Sequence, residues 1–133
     1  MQIKIGEVEC TLRFGLKFIR ELDEKYYIER AGVKYGTALE NKIPFILTKD
    51  PVTLAEFIYS ATATEEKRPT QDQVDAYIEE AEDIDALFNE VTSELKNSNV
   101  TKHRMIQMEE LLEIESEIQA TEEKKAAKKP TKK

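Results

Sequence analysis

Residues that could carry chemistry are few and scattered in this chain. His103 is the single histidine and Cys10 the single cysteine, so a histidine-based metal site or an activated nucleophile would have to be built on one of them. His103 is predicted to lie on a helix surface. Cys10 falls on the apolar side of an alternating segment, which favours a small buried core residue over a reactive thiol. The sequence therefore predicts no catalytic site, no metal site and no cofactor.

The acid-rich stretch "EEAEDIDALFNE" at residues 79–90 could suggest a calcium site. It lacks the mid-loop glycine and the alternating oxygen ligands of a calcium-binding loop, and its apolar residues recur with helical spacing instead. A solvated helix face is the better interpretation. Gly32 and Gly36 are not followed by the Lys-Ser/Thr pair that a phosphate-binding loop requires.

Charge is distributed unevenly along the chain. The 133 residues carry a net charge of −7, and residues 120–133, which include "KKAAKKPTKK", have six lysines against two glutamates, a net of +4. Residues 1–119 therefore carry −11, and residues 65–98 alone carry eleven acids against three bases. Such a body repels nucleic acid and anionic lipid, so neither is expected as a partner. The basic tail, residues 124–133, is expected to be disordered and solubilising, because it has no aromatic side chain to stack on bases.

The start "MQIKIGEVEC" contains no apolar signal segment, and no apolar run approaches the roughly 18 residues needed to cross a bilayer. With a single cysteine, the chain offers no internal disulfide. The reducing cytoplasm is the compartment that these features favour.

The first fourteen residues alternate between apolar and polar side chains on both sides of Gly6-Glu7, a pattern that predicts two short strands joined in a hairpin. A lone hairpin is marginal in water, so helices must cover its apolar face. A short extended piece is predicted between Gly32 and Gly36. The predicted helices span residues 16–27, 38–48, 51–63, 71–97 and 101–124.

Three of these helices carry local signals. Thr37 and Glu40 have the spacing of a capping box, and Pro44 predicts that the helix they begin is short or kinked. Asp50-Pro51 is a strong helix start. Residues 71–97 form either one long helix or two with a break near "EAEDID", and the sequence leaves this open.

The last predicted helix carries a methionine-containing apolar stripe, for which core packing and a surface that accepts a changing partner remain equally open. The candidate partner-binding residues are Met105, Met108, Leu111, Leu112, Ile114 and Ile118. The predicted fold is α+β and mostly helical, with the N-terminal β-hairpin packed against four to six helices. We expect a globular domain at 1–100, a helix at 101–123 and a flexible lysine-rich tail at 124–133.

Several segments, in order, resemble a known family. They are "FGLKFIRELDEKY" after the hairpin, "GVKYGTALENKIPFIL", "DPVTLAEFIYSATAT", "RPTQDQVDAYIEE" and "DIDALFNEVTSELKNSN". Over residues 1–100 the chain is similar to the tail assembly chaperones of long-tailed bacteriophages, in the form found in phages of low-GC Gram-positive hosts. The similarity lies in glycine, proline and apolar positions rather than in a catalytic signature.

The resemblance implies a non-enzymatic protein of the host cytoplasm that keeps the tape measure protein soluble during tail tube assembly and is absent from the mature virion. It also implies a programmed frameshift near the lysine-rich end, yielding a longer form that engages the tail tube protein. A homo-oligomer is compatible with such a coating role. Two alternatives are a structural minor tail or connector subunit of the virion and a small acidic interaction or regulatory protein.

Overall fold

A computed structural model describes the backbone of residues 1–128 and the side chains of residues 1–124. Two small antiparallel hairpins and six helices follow one another in this part of the chain, which confirms the predicted α+β, mostly helical class. The elements are β1 (Gln2–Ile5), β2 (Val8–Thr11), α1 (Leu16–Lys25), β3 (Tyr27–Arg30), β4 (Val33–Gly36), α2 (Ala38–Leu47), α3 (Pro51–Ala61), α4 (Gln71–Glu79), α5 (Ile84–Asn97) and α6 (Lys102–Lys128).

The N-terminal hairpin forms as its alternation predicts. Ile3 lies opposite Cys10 and Ile5 opposite Val8 in the antiparallel register. Gly6 adopts a φ of 61°, in the left-handed region that the tight turn between the strands requires. The apolar side chains face the helices, so the hairpin is part of the core, and Cys10 is buried there as predicted.

The centre of the core is an aromatic cluster that joins the hairpin exit to α1 and α3. The Phe14 and Phe18 rings meet edge to face at 5.0 Å, and Phe18 meets Phe57 in the same way at 5.3 Å. Such pairs add about 0.5–1.5 kcal/mol each beyond the burial of their area. Leu22 and Leu54, from the same two helices, are also fully buried beside them.

Helix α1 ends at Lys25, before its predicted end, because the chain turns into a second hairpin. The predicted extended piece between the two glycines is the β4 strand, and β3 pairs with it antiparallel. Ala31 (φ 52°) and Gly32 (φ 76°) make the tight turn between them.

The predicted capping box at the start of α2 is wrong. Thr37 occupies the capping position but its hydroxyl accepts no hydrogen bond from the helix backbone. Instead Asp23 of α1 accepts a 3.1 Å hydrogen bond from the Ala38 amide. Glu40 points away and pairs with Arg104 of α6 at 2.7 Å. The helix is short, ten residues with a proline inside, as predicted.

Helix α3 begins as predicted, with an Asp50 carboxylate oxygen accepting hydrogen bonds from the Thr53 amide (3.2 Å) and hydroxyl (2.7 Å). The next stretch of sequence forms two helices, which settles the alternative left open. Helix α4 starts in a capping box of Thr70 and Gln73 that was not predicted, and Asp83 accepts a 3.0 Å hydrogen bond from the Ala86 amide at the start of α5.

Helix α6 packs on α2 and α5 and runs to Lys128, past its predicted end. Residues 129–133 of the predicted flexible tail lie outside the described residues, and the predicted division into a domain, a helix and a tail stays a prediction. Over the part of the chain with described structure, no helix combines the length and apolarity needed to cross a membrane.

Candidate functional site

The inner face of α6 anchors the helix to the body. Met105 is fully buried, and Met108 packs half-buried against the core. Two ion pairs flank this contact: Arg104 with Glu40 of α2 at 2.7 Å, and Glu109 with Lys96 of α5 at 3.1 Å. The first turns of α6 are therefore held by apolar packing and by charges on both sides.

The opposite face of α6 carries a second apolar stripe that faces solvent. Leu111, Ile114 and Ile118, here called the outer stripe, are 50%, 50% and 52% exposed. Their spacing of three and four residues aligns them along one side of the helix. Large aliphatic side chains arranged in line and left half-exposed are typical of a surface that a partner covers.

Ile114 and Ile118 of the outer stripe lie on a part of α6 that extends beyond the body, and Leu111 lies just before it. Every described side chain from residue 113 to residue 124 is exposed. The whole helix is 27 residues long, or about 40 Å. A helical segment without tertiary packing is marginally stable in water. A partner that covers the outer stripe would therefore also stabilise the helix that presents it.

Carboxylates border the outer stripe on both sides. Helical spacing places Glu110 and Glu117 along one edge and Glu115 and Glu122 along the other. All four are exposed, and none makes an ion pair with a side chain that the structure describes. The charges favour a partner with lysine or arginine beside its apolar residues, and salt would weaken that attraction.

A groove of about 460 Å³ adjoins this surface at the start of the outer stripe, where α6 passes the first turn of α2. Met108, Leu111 and Ile114 supply its apolar wall, and its polar rim consists of Glu40, Arg104, Gln107 and Glu110. Apolar surface thus continues from the outer stripe to Met108, which packs against the body.

The six predicted partner-binding residues are divided between two environments. Met105 is in the core, and Met108 and Leu112 are half-buried against the body. Only the three residues of the outer stripe are broadly exposed. Ile106, also 50% exposed, was not among the predicted residues, and helical spacing places it away from the outer stripe.

Titratable groups with shifted pKa values lie away from the outer stripe. Burial raises the pKa of the Cys10 thiol, and the negative charges of Glu65 and Glu9 raise it further. A reactive thiol needs the opposite shift. His103 is exposed, as predicted. Among the described residues there is no group of three or more His, Cys, Asp or Glu side chains placed to hold a metal ion.

Comparison with protein-family models identifies a match. A model described as "Phage tail assembly chaperone protein, TAC" matches residues 2–110, which is most of the chain and ends one residue before the outer stripe begins. Comparison with curated proteins and with solved structures finds no match.

Proposed function

Because this chain belongs to the phage tail assembly chaperone family, we propose that it binds the tape measure protein and keeps this client soluble while the tail tube assembles around it. The general role, assisting the assembly of a phage tail, comes with the family. The identity of the client and the surface that meets it are the proposal.

The outer stripe is the observation that carries the proposal. Leu111, Ile114 and Ile118 form an apolar line on a helix that extends from the body, and this geometry suits the groove or seam of another helix. A tape measure protein is long and helical, so it would present many such seams. The carboxylates beside the outer stripe favour client segments with lysine or arginine at their edges.

The size of the outer stripe implies weak, reversible contacts. Complete burial of an aliphatic side chain contributes about 1.5–3 kcal/mol, so burying the remaining half of each of three gives roughly 3 kcal/mol before any cost of association. A micromolar complex needs about 8 kcal/mol. Many copies along one client would supply the difference through avidity, and each copy could still leave when the tube closes.

Two other parts of the proposal follow from the family role. We place the protein in the host cytoplasm and outside the mature virion. We also propose that a frameshift near the lysine-rich end of the short product, residues 124–133, gives a longer form that engages the tail tube protein. Sequencing the gene tests the frameshift: without a slippery heptamer and an overlapping downstream frame, that part fails.

Co-expression with the tape measure protein of the same phage tests the client. We expect the wild-type chain to keep most of this client in the soluble fraction. The triple variant Leu111→Ser, Ile114→Ser, Ile118→Ser should lose that effect, because it removes the apolar line while leaving the buried part of α6 intact. Ile106→Ser is the matched control, since Ile106 is equally exposed but lies off the outer stripe.

Two results would contradict the proposal. If the client precipitates equally with and without the wild-type chain, it is not the client. If the triple variant holds the client as well as the Ile106→Ser control, the outer stripe is not the contact surface. Mass spectrometry of purified particles separates a chaperone from a structural tail subunit, because a subunit would be present at stoichiometric levels.

A further inference from the structure

The β3–β4 hairpin stands out from the body. All eight of its residues are exposed, whereas the N-terminal hairpin buries Ile3, Ile5 and Cys10 on one face. Within the described chain its two strands pair only with each other. A two-stranded hairpin whose residues are all largely exposed is marginally stable in water, so contact with a partner would stabilise this element.

The register gives the hairpin two different faces, because residues opposite each other in an antiparallel pair share a side. One face carries Tyr27, Glu29 and Lys34. The Lys34 ammonium lies 4.8 Å from the centre of the Tyr27 ring, and Glu29 is the cross-strand neighbour of Lys34. The charges on this face are therefore balanced within the hairpin itself.

The other face, here called the outer hairpin face, carries Ile28, Arg30, Val33 and Tyr35. Its three apolar residues are 43%, 50% and 51% exposed in that order. Arg30 makes no ion pair with any side chain that the structure describes. Tyrosine and arginine are among the side chains most enriched at the centres of protein interfaces. The outer hairpin face presents one of each among aliphatic residues.

A surface of the opposite character lies between α4 and α5. It is a cleft of about 440 Å³ in which Tyr77, Ala81 and Leu87 contribute apolar surface. Glu80, Glu82, Asp83 and Glu90 also line it, and none of these acids is ion-paired among the described side chains. The cleft thus offers an apolar floor and unpaired carboxylates, which complement the outer hairpin face.

We propose that the outer hairpin face of one copy of this chain docks in the α4–α5 cleft of a second copy, with Arg30 among the carboxylates and Tyr35 against the apolar floor. The hairpin packs on α1, and the cleft belongs to a different pair of elements. Each copy can therefore give its hairpin to one neighbour and its cleft to another. Such a head-to-tail contact builds a ring or a filament.

Sedimentation velocity of the purified full-length chain tests this self-association without any client, so its result is independent of the proposed function. We expect the weight-average mass to rise with protein concentration and to fall with added salt. Reversing the charge on either side, by Arg30→Glu or by Glu82→Lys with Glu90→Lys, should weaken the association by about tenfold or more. Circular dichroism should show all variants folded, because every changed residue is exposed.

Mixing the two variants provides the decisive measurement. Each variant alone sets like charges against each other. In an equimolar mixture, the Arg30→Glu hairpin meets the lysine-bearing cleft, and the unchanged hairpin of the cleft variant meets an unchanged cleft. Association should therefore return in the mixture. A contact between two hairpins would not behave this way, because the cleft variant would then associate normally on its own.

Matched controls distinguish a local contact from an effect of net charge. Arg13→Glu reverses an exposed arginine away from the hairpin, and Glu7→Lys with Glu66→Lys reverses two exposed acids outside the cleft; both should associate like wild type. The proposal is overturned if the wild-type chain stays monomeric at several hundred micromolar, if the hairpin and cleft variants associate like their controls, or if mixing restores nothing.

Discussion

At the scale of single residues, Asp50 at the start of α3 shows how one capping side chain makes the stability of the fold depend on pH. The hydrogen bond from the Thr53 hydroxyl, followed by those from the Thr53 and Val52 amides, holds the pKa of the Asp50 carboxyl below its usual value, while partial burial opposes them. A carboxyl whose folded-state pKa is depressed stabilises the fold above its unfolded pKa of about 3.9. That contribution is lost as pH falls through the depressed folded value.

We therefore expect Asp50→Ala to lower the free energy of unfolding by about 1 kcal/mol at pH 7, the usual cost of a lost helix cap. The difference from wild type should shrink in acid as the Asp50 carboxyl becomes protonated. Urea unfolding followed by circular dichroism at neutral and acidic pH measures both effects. Asp72→Ala, which removes an exposed acid from the first turn of α4, is the control and should cost less. An equal loss at both pH values would contradict the charge-based explanation.

Capping also shows where residue patterns mislead. Thr37 and Glu40 have the correct types and spacing for a capping box, yet Asp23 caps α2 from another helix. Gly36 makes this possible, because a β-carbon there would lie 2.1 Å from an Asp23 carboxylate oxygen. A local pattern cannot reveal a competitor that only the tertiary fold brings near. The Thr70–Gln73 box is visible in the sequence as threonine and glutamine three apart, but it was not predicted.

At the scale of elements, α6 carries apolar residues in two different environments. Sequence periodicity alone grouped Met105 and Leu111 in a single stripe. The structure buries Met105 completely and leaves Leu111 half-exposed, because Met105 lies on the side of the helix that packs on α2 and α5 and Leu111 lies on a different side. Which residues of an apolar stripe reach the core depends on where neighbouring helices lie, and this information is absent from the periodicity.

Truncation to alanine should change the free energy of unfolding by different amounts at buried and exposed positions of α6. Met105→Ala should lower the free energy of unfolding by about 2–5 kcal/mol, as for other long aliphatic side chains removed from a core. Leu111→Ala should change it by less than about 0.5 kcal/mol, because it removes surface already half in contact with water. Urea unfolding of the two variants side by side measures the contrast. Similar losses would mean that the distal part of α6 packs on the body.

The second hairpin and the break between α4 and α5 were harder to predict. Tyr26 continues the four-residue spacing of Phe18 and Leu22. The pattern therefore predicts a longer helix at the place where the chain turns into β3. At the break, Asp83 is a capping residue inside a run of acids, where no single aspartate stands out. In both places the local pattern fits two structures, and packing against the rest of the fold decides between them.

At the scale of the whole molecule, the N-terminal hairpin and most of the helix order could be predicted because their apolar faces are buried in one core. Alternation placed Ile3, Ile5 and Cys10 on the covered side, and helical spacing identified Leu54, Phe57 and Ile58 of α3. Surfaces outside that core are different. Residues that contact a partner have the same apolar character as core residues, so only the fold distinguishes the two groups.

The uneven charge of the molecule gives a last prediction about the client surface. Exposed charges are screened over about 10 Å in moderate salt, so the carboxylates beside the outer stripe should influence binding far more than acids elsewhere on the body. Glu110→Lys with Glu117→Lys should therefore weaken binding to a tape measure segment that carries lysine or arginine beside its apolar residues, and binding by this variant should no longer decline as salt is raised. Fluorescence anisotropy of the labelled segment at low and high salt measures both effects.

The control variant Glu7→Lys with Glu66→Lys makes the same change in net charge on exposed residues away from α6. If this control weakens binding as much, the whole acidic body attracts the client and the outer stripe has no special role.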